Sequence, residues 1–249
     1  MNLYKYYTSG DYKDGTKYSE VWFRINTVKN SLQNTLKFNS FPGAYHTIYV
    51  NPSEIHNKNR QPNHPRYGGG LGQIQGGDWD AKEHCTDVEN YHVIEAFMDY
   101  FNRQLTDDWK ETAFREYWKE NYAGTEHKYA DWNTYTVERI TPYVGLYKEI
   151  KENGYKEDTT TGSIGPGRIQ PVRNQLEVLV SITRTGDIYF FSGHHRFAIA
   201  RALEITIPVH VIRRHTKWQE IRDEISEHGL TQEYEHLENH PDIINILDE

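Results

Sequence analysis

The last third of the chain constrains the fold most. Leu176 to Ile182 is a near-continuous apolar run, Thr185-Gly186-Asp187 is turn chemistry and Ile188 to Phe191 is β-rich again, so the spacing predicts a hairpin. Ser192-Gly193-His194-His195-Arg196 follows, and behind it Phe197, Ile199, Ala200, Ala202 and Leu203 recur at helical spacing. Ile207 to Ile212 predicts a third strand, and Trp218 to about His228 an amphipathic helix. That order (hairpin, helix, strand, helix) predicts an α+β fold, a mixed sheet with helices packed on it.

Upstream the signals are weaker. Ser19 to Ile25 partly alternates, and Ala44 to Val50 is β-rich and closes at Asn51-Pro52, so residues 1–60 read as short strands and turns contributing to the core. Residues 56–80 carry the prolines Pro62 and Pro65 and the glycines Gly68, Gly69, Gly70, Gly72, Gly76 and Gly77, which forbid a helix and predict a long loop. From Asp87 the period changes. Val88, Tyr91, Ile94, Phe97, Met98 and Phe101 mark one helix, and Thr106-Asp107-Asp108 caps a second running to about Asn121. Residues 136–153 predict a further helix, with Pro142 in its first turn and Gly154 ending it. The expected organisation is therefore N-terminal strands in 1–60, a Gly-rich loop and largely helical insertion in 61–135, and the core with a C-terminal helix in 136–249.

Composition removes several function classes. The single cysteine, Cys85, cannot form an intramolecular disulfide or a Cys-rich metal site. A net charge of −8 speaks against a broad electrostatic grip on duplex nucleic acid. No stretch approaches the ~18–20 apolar residues of a membrane span, and the N-terminus lacks a basic region followed by an apolar one, so no membrane partner and a cytoplasmic location are expected. Nineteen tyrosines among 249 residues imply either a half-polar core or surfaces that stack on rings.

The chemistry concentrates where the second strand of the hairpin hands over to its helix. First-turn N–H groups and the helix dipole attract anions there. Gly193 lets an anion approach the backbone, His194 and His195 donate hydrogen bonds, and Arg196 offers a planar fork. The competing reading is that Ser192 caps the helix while the histidines pack or face solvent.

The run Val180 to Ile212, with Gly186-Asp187-Ile188, Ser192-Gly193-His194-His195-Arg196, Ala198, Ala200, Leu203 and Ile207-Pro208-Val209, resembles the core of the ParB/sulfiredoxin superfamily. Leu146 to Gly154 is similar to the helix that precedes the hairpin in ParB-like domains, and Thr47 to Arg60 to the family's first strand and turn. The resemblance implies a ParB/sulfiredoxin-like fold whose Gly-X-His-Arg turn binds nucleotide phosphates. His194 stands where sulfiredoxins carry their reactive cysteine, which disfavours that activity. Too few residues follow the last strand for the helix-turn-helix of ParB proteins. The Gly-His-His-Arg form looks most like the free serine kinase branch, which implies phosphoryl transfer from ATP, ADP or CTP to a small-molecule acceptor. The alternative that the same resemblance implies is a ParB-like nucleic-acid-binding or nuclease-like protein of a mobile element or virus.

Phosphoryl transfer asks for phosphate donors, usually Mg2+, and a group that takes the acceptor's proton. Ser192, Gly193, His194, His195, Arg196 and Arg173 are the expected phosphate ligands, with Arg168 adding charge nearby, and His195 a catalytic candidate. Asp78 and Asp80, flanking Trp79 beside glycines suited to a lid, are the expected Mg2+ ligands and catalytic carboxylates, with Glu54 a further candidate. The other reading of Asp78-Trp79-Asp80 is a turn anchored by a buried tryptophan. His84, Cys85, Asp87 and His92 raise zinc, but His84 and His92 lie about two helical turns apart, too far for one ion. Arg213, Arg214, His215, Lys217 and Arg222 form the one basic cluster, a nucleic-acid contact or a solvated patch. His240 to Leu247 reads as a docking segment for the core or a partner.

Overall fold

A computed structural model describes residues 12–59, 69–89, 91–102, 113–156 and 178–247. Seven strands form one mixed sheet: β1 (Thr47–Val50), β2 (Asn57–Asn59), β3 (Gln73–Gln75), β4 (Cys85–Asp87), β5 (Val178–Ile182), β6 (Ile188–Ser192) and β7 (Ile207–His215), in the order β1-β7-β5-β6-β2-β4. β3 lies parallel to the last residues of β7, beyond the stretch that β1 occupies. β5 sits between β7 and β6 and is buried along its whole length. A strand covered on both faces reads as an unbroken apolar run, which is why Leu179-Val180-Ser181-Ile182 lacks alternation. The α+β expectation with packed helices therefore holds at the level of class.

The helices are α1 (Tyr12–Lys37), α2 (His92–Asn102), α3 (Ala113–Asn121), α4 (Trp132–Tyr135), α5 (Thr141–Asn153), α6 (His194–Ala202), α7 (Thr216–His228) and α8 (Ile244–Leu247). One face of the sheet, with Val178, Val180, Phe190, Val209 and Val211, packs on Ile94, Phe97, Tyr147, Phe197 and Ile199 from α2, α5 and α6. The other face, with Leu179, Phe191 and Ile212, packs on Phe23 of α1 and on Ala44 and Leu71. Residues 136–140 form a π-helical turn, in which the Thr141 N–H bonds Thr136 O. Pro142 follows at once and cannot continue the i→i−4 ladder, so the helix widens before α5 begins. Gly154 ends α5 with φ +75°.

Three expectations change. Residues 12–37, read as strands and turns, form a helix. Its inward face carries Phe23 and Thr27 but otherwise Asn30 and Asn34, whose amides bind Gly69 O, Leu71 O and Gly72 O at 2.8–2.9 Å. The Gly-rich segment is therefore a strap bound along α1, where a lid was expected. The stretch read as an insertion supplies β3 and β4 to the sheet and α2 to the packing on α6, so it is part of the core. The Thr106–Asp108 cap, Arg168 and Arg173 lie outside the described residues.

Part of the tyrosine excess is structural. Trp118, Tyr122, Tyr129, Trp132 and Tyr135 make successive ring contacts at 5.3–5.8 Å around α3 and α4. Arg115 stacks over Trp118 and Trp132, and Trp118 Nε1 donates to Tyr129 O. This is a half-polar packing layer.

Candidate functional site

Gly193 adopts the left-handed conformation, φ +92° and ψ +34°, and this turns the chain from β6 into α6. A residue with a Cβ is strained there. Ser192 is the last residue of β6, buried and paired with Leu179, so it does not cap the helix. Gly193 holds the cap position instead, and no side chain caps this terminus. An α-helix has no intrahelical acceptor for its first N–H groups, so α6 presents a positive end framed by His194, His195 and Arg196.

Three segments of the chain close around it. His195 stacks on Tyr143 of α5 with ring centroids 3.5 Å apart and meets Phe97 of α2 edge-on at 6.2 Å. His194 lies 4.5 Å from His195 and 5.5 Å, edge-on, from Tyr91, the residue just before α2. Lys58 of β2 sets its Nζ 3.4 Å above the Tyr91 ring. Burial pulls the Lys58 ammonium down to about 8 and pushes the Tyr91 hydroxyl up. The other end of α6 is fixed by Arg201, which donates to Pro52 O, Ile55 O and Glu89 Oε1 at 2.7–2.9 Å. The site is thus a cationic, hydrogen-bond-donating patch with aromatic walls, suited to a phosphate and an adjoining ring. Lys58 was not legible in the sequence. Tyr91 and Tyr143 were legible only as apolar-face helix positions.

Asp78 and Asp80 are not brought to this terminus. Arg184, in the β5–β6 turn, donates to both carboxylate oxygens of Asp80 at 2.6–3.1 Å and to Asp78 Oδ1 at 2.9 Å. That turn and Gly193 lie at opposite ends of β6, five residues or ~17 Å apart. Burial would raise the Asp80 carboxyl, but the Arg184 bonds outweigh it and hold the group below its usual range. Two carboxylates that share the Arg184 guanidinium at the far end of β6 from the α6 terminus do not fit the role of Mg2+ ligands for phosphates bound there. Trp79 is the buried anchor of the segment: Nε1 donates to Gln75 O at 2.9 Å, and Arg213 lies 3.7 Å over the ring. Glu54 sits exposed on the turn that Arg201 pins, about two helical turns from His194.

The described residues hold no group of three or more His, Cys, Asp or Glu placed to bind a metal. Burial raises the Cys85 thiol, which donates to Ala81 O at 3.4 Å. The basic cluster is the largest surprise: Arg213, Arg214 and Arg222 are buried to 1% exposure or less, so no solvated patch exists for a nucleic-acid backbone at those three residues. The C-terminal segment docks on the chain itself, with Asp242 and Ile243 fully buried. Among the described residues no helix is long and apolar enough to cross a membrane. No protein-family model, curated protein or solved structure matches this chain.

Proposed function

We propose that the protein binds a nucleotide (ATP, ADP or CTP) by its phosphates at the N-terminus of α6, and that its reaction is phosphoryl transfer to a small-molecule acceptor. The observation that carries this reading is the helix terminus opened by a left-handed glycine with no side-chain cap, whose first residue, His194, meets Tyr91, the ring on which the Lys58 ammonium sits. Such a donor set stabilises charge on a transferring phosphoryl group without covalent participation. His195, aligned by Tyr143, is the group placed to accept the acceptor's proton. The resemblance to the ParB/sulfiredoxin superfamily, on its free serine kinase side, supports the same assignment. The nucleic-acid alternative gains nothing from the basic cluster, because four of its five residues, Arg213, Arg214, His215 and Arg222, are buried.

A thermal-shift screen over the three nucleotides, with and without Mg2+, tests the reading. A ligand at 100 times its Kd stabilises by about 2.7 kcal/mol, which for a chain of this size raises Tm by roughly 5–10 °C. Arg196→Ala should abolish the rise. Absence of a shift with all three nucleotides overturns the proposal.

Lys58 gives the site a pH signature. It carries its proton below about pH 8, whereas an unburied lysine keeps its proton to ~10.4. Anion binding needs the ammonium form, so affinity should be level below pH 7 and fall by up to ~10-fold per unit above pH 8. Lys58→Met should bind more weakly at neutral pH and lose that decline. An identical pH profile in both proteins, measured by titration calorimetry, would remove Lys58 from the site.

A further inference from the structure

Helix α1 turns its polar face inward and its apolar face out. At 100° per residue, Phe23, Thr27, Asn30 and Asn34, which touch the domain, fall in one narrow sector. Trp22, Ile25, Val28, Leu32 and Leu36 fall on the opposite side within a stripe ~120° wide. They are 55%, 49%, 59%, 63% and 88% exposed. Whole side chains of this size carry up to ~150–250 Å2, so the five leave on the order of 600 Å2 of contiguous apolar surface, more than an ordinary monomer keeps in water.

We propose that this stripe pairs with the same stripe of a second copy of the chain, antiparallel about a two-fold axis near Val28 and Lys29, so that Ile25 of each copy meets Leu32 of the other. The spacing of Ile25, Val28 and Leu32 is the 3-4 alternation of a helix–helix seam, flanked at seven-residue intervals by Trp22, Lys29 and Leu36. The area matches: two such stripes bury on the order of 1,200 Å2, where stable specific interfaces begin. Charge favours this orientation: parallel helices would set Arg24 of one copy against Lys29 of the other twice across the seam, whereas the antiparallel pair makes one like-charge contact, Lys29 with Lys29 beside the axis, where each stem lies along apolar surface with its ammonium in water. The described residues that α1 packs on lie on its opposite side, the side of Phe23, Asn30 and Asn34.

Sedimentation velocity of the full chain should give a species of twice 29.4 kDa at micromolar concentration. Leu32→Glu and Leu36→Glu should each weaken self-association at least 100-fold while keeping the wild-type circular dichroism, because both side chains face water in the single chain. In a Cys85→Ser background, Val28→Cys should oxidise to a linked dimer and Leu36→Cys should not. A monomer at every concentration, an assembly that both glutamate variants leave intact, or linkage through Leu36→Cys overturns the proposal.

Discussion

Asp242→Ala should remove about 3–5 kcal/mol of stability, because it strands two buried guanidinium groups without their counter-charge. Asp242 is wholly buried, as are Arg214 and Arg222 around it. Its Oδ2 accepts from Arg214 Nε and Trp218 Nε1, both at 2.9 Å, and lies 3.1 Å from Arg222 Nη1. Its Oδ1 accepts from Arg214 Nη2. Domains hold only about 5–15 kcal/mol in total, so the loss is roughly a fifth of the whole or more. At ~2–4 °C per kcal/mol, calorimetry should show Tm lower by roughly 6–20 °C. Glu238→Ala, at an exposed site four residues earlier, is the control and should move Tm by less than about 2 °C. A matching small shift for Asp242→Ala would show that the arginines find other partners.

The same knot predicts how the fold responds to acid. Burial alone would raise the Asp242 carboxyl, but Arg214 and Arg222 hold it well below the ordinary range. A carboxylate with a depressed folded pKa contributes stability that is complete above the unfolded value of ~3.9 and is lost as pH falls through the folded one. His46, whose Nδ1 stands 2.6 Å from Arg214 Nη2, must accept there, since a guanidinium only donates. Burial lowers the His46 and His240 imidazoles. Both are kept neutral in the fold, so each begins to cost stability as pH drops below ~6.5, the unfolded value. Acid unfolding should therefore show a histidine limb from about pH 6.5 and a carboxylate limb below about pH 4, and Asp242→Ala should shrink the second to the part that Asp80 contributes.

What the sequence could reveal depended on where each signal was stored. The hairpin, α6, β7 and α7 were legible because their turn residues and apolar periods are local. Helix α1 was not: the seven residues from Ser19 to Ile25 mimic alternation, and the helix turns half-buried asparagines inward while exposing its apolar stripe, which inverts the usual pattern. The buried arginines were illegible for a different reason. Their partner, Asp242, lies 28 residues after Arg214 in a segment that looked like a tail. Asp78 and Asp80 looked like a metal pair because Arg184, which bonds both, comes more than a hundred residues later. The Gly193–Arg196 turn was legible as an anion site, but Lys58 joins it only through the pairing of β2 with β6.

Gly70→Ala should cost about 2–6 kcal/mol, from two additive sources. Gly70 sits at φ +69°, a conformation that costs a residue with a Cβ about 1–3 kcal/mol. A Cβ built there lies 2.4 Å from Thr27 N, 2.7 Å from Asn26 C and 2.9 Å from Thr27 Cα. All three are backbone atoms inside α1, which cannot rotate aside as a side chain would, and such overpacking costs a further ~1–3 kcal/mol. The displaced strap would also stretch the bond from Leu71 N to Thr27 Oγ1, now 3.0 Å, and open the layer formed by Phe23, Leu71, Leu179, Phe191 and Ile212. Gly77→Ala separates the two sources: Gly77 has φ +87° but nothing within 4 Å of a built Cβ, so it should show the conformational cost alone. Urea unfolding of the two variants measures the difference directly. The nucleotide-induced rise in Tm should be the same in both, because the strap and α1 cover the sheet face opposite α6. A Gly70→Ala protein that kept its stability but changed its nucleotide affinity would mean that the glycines form a lid over the site after all.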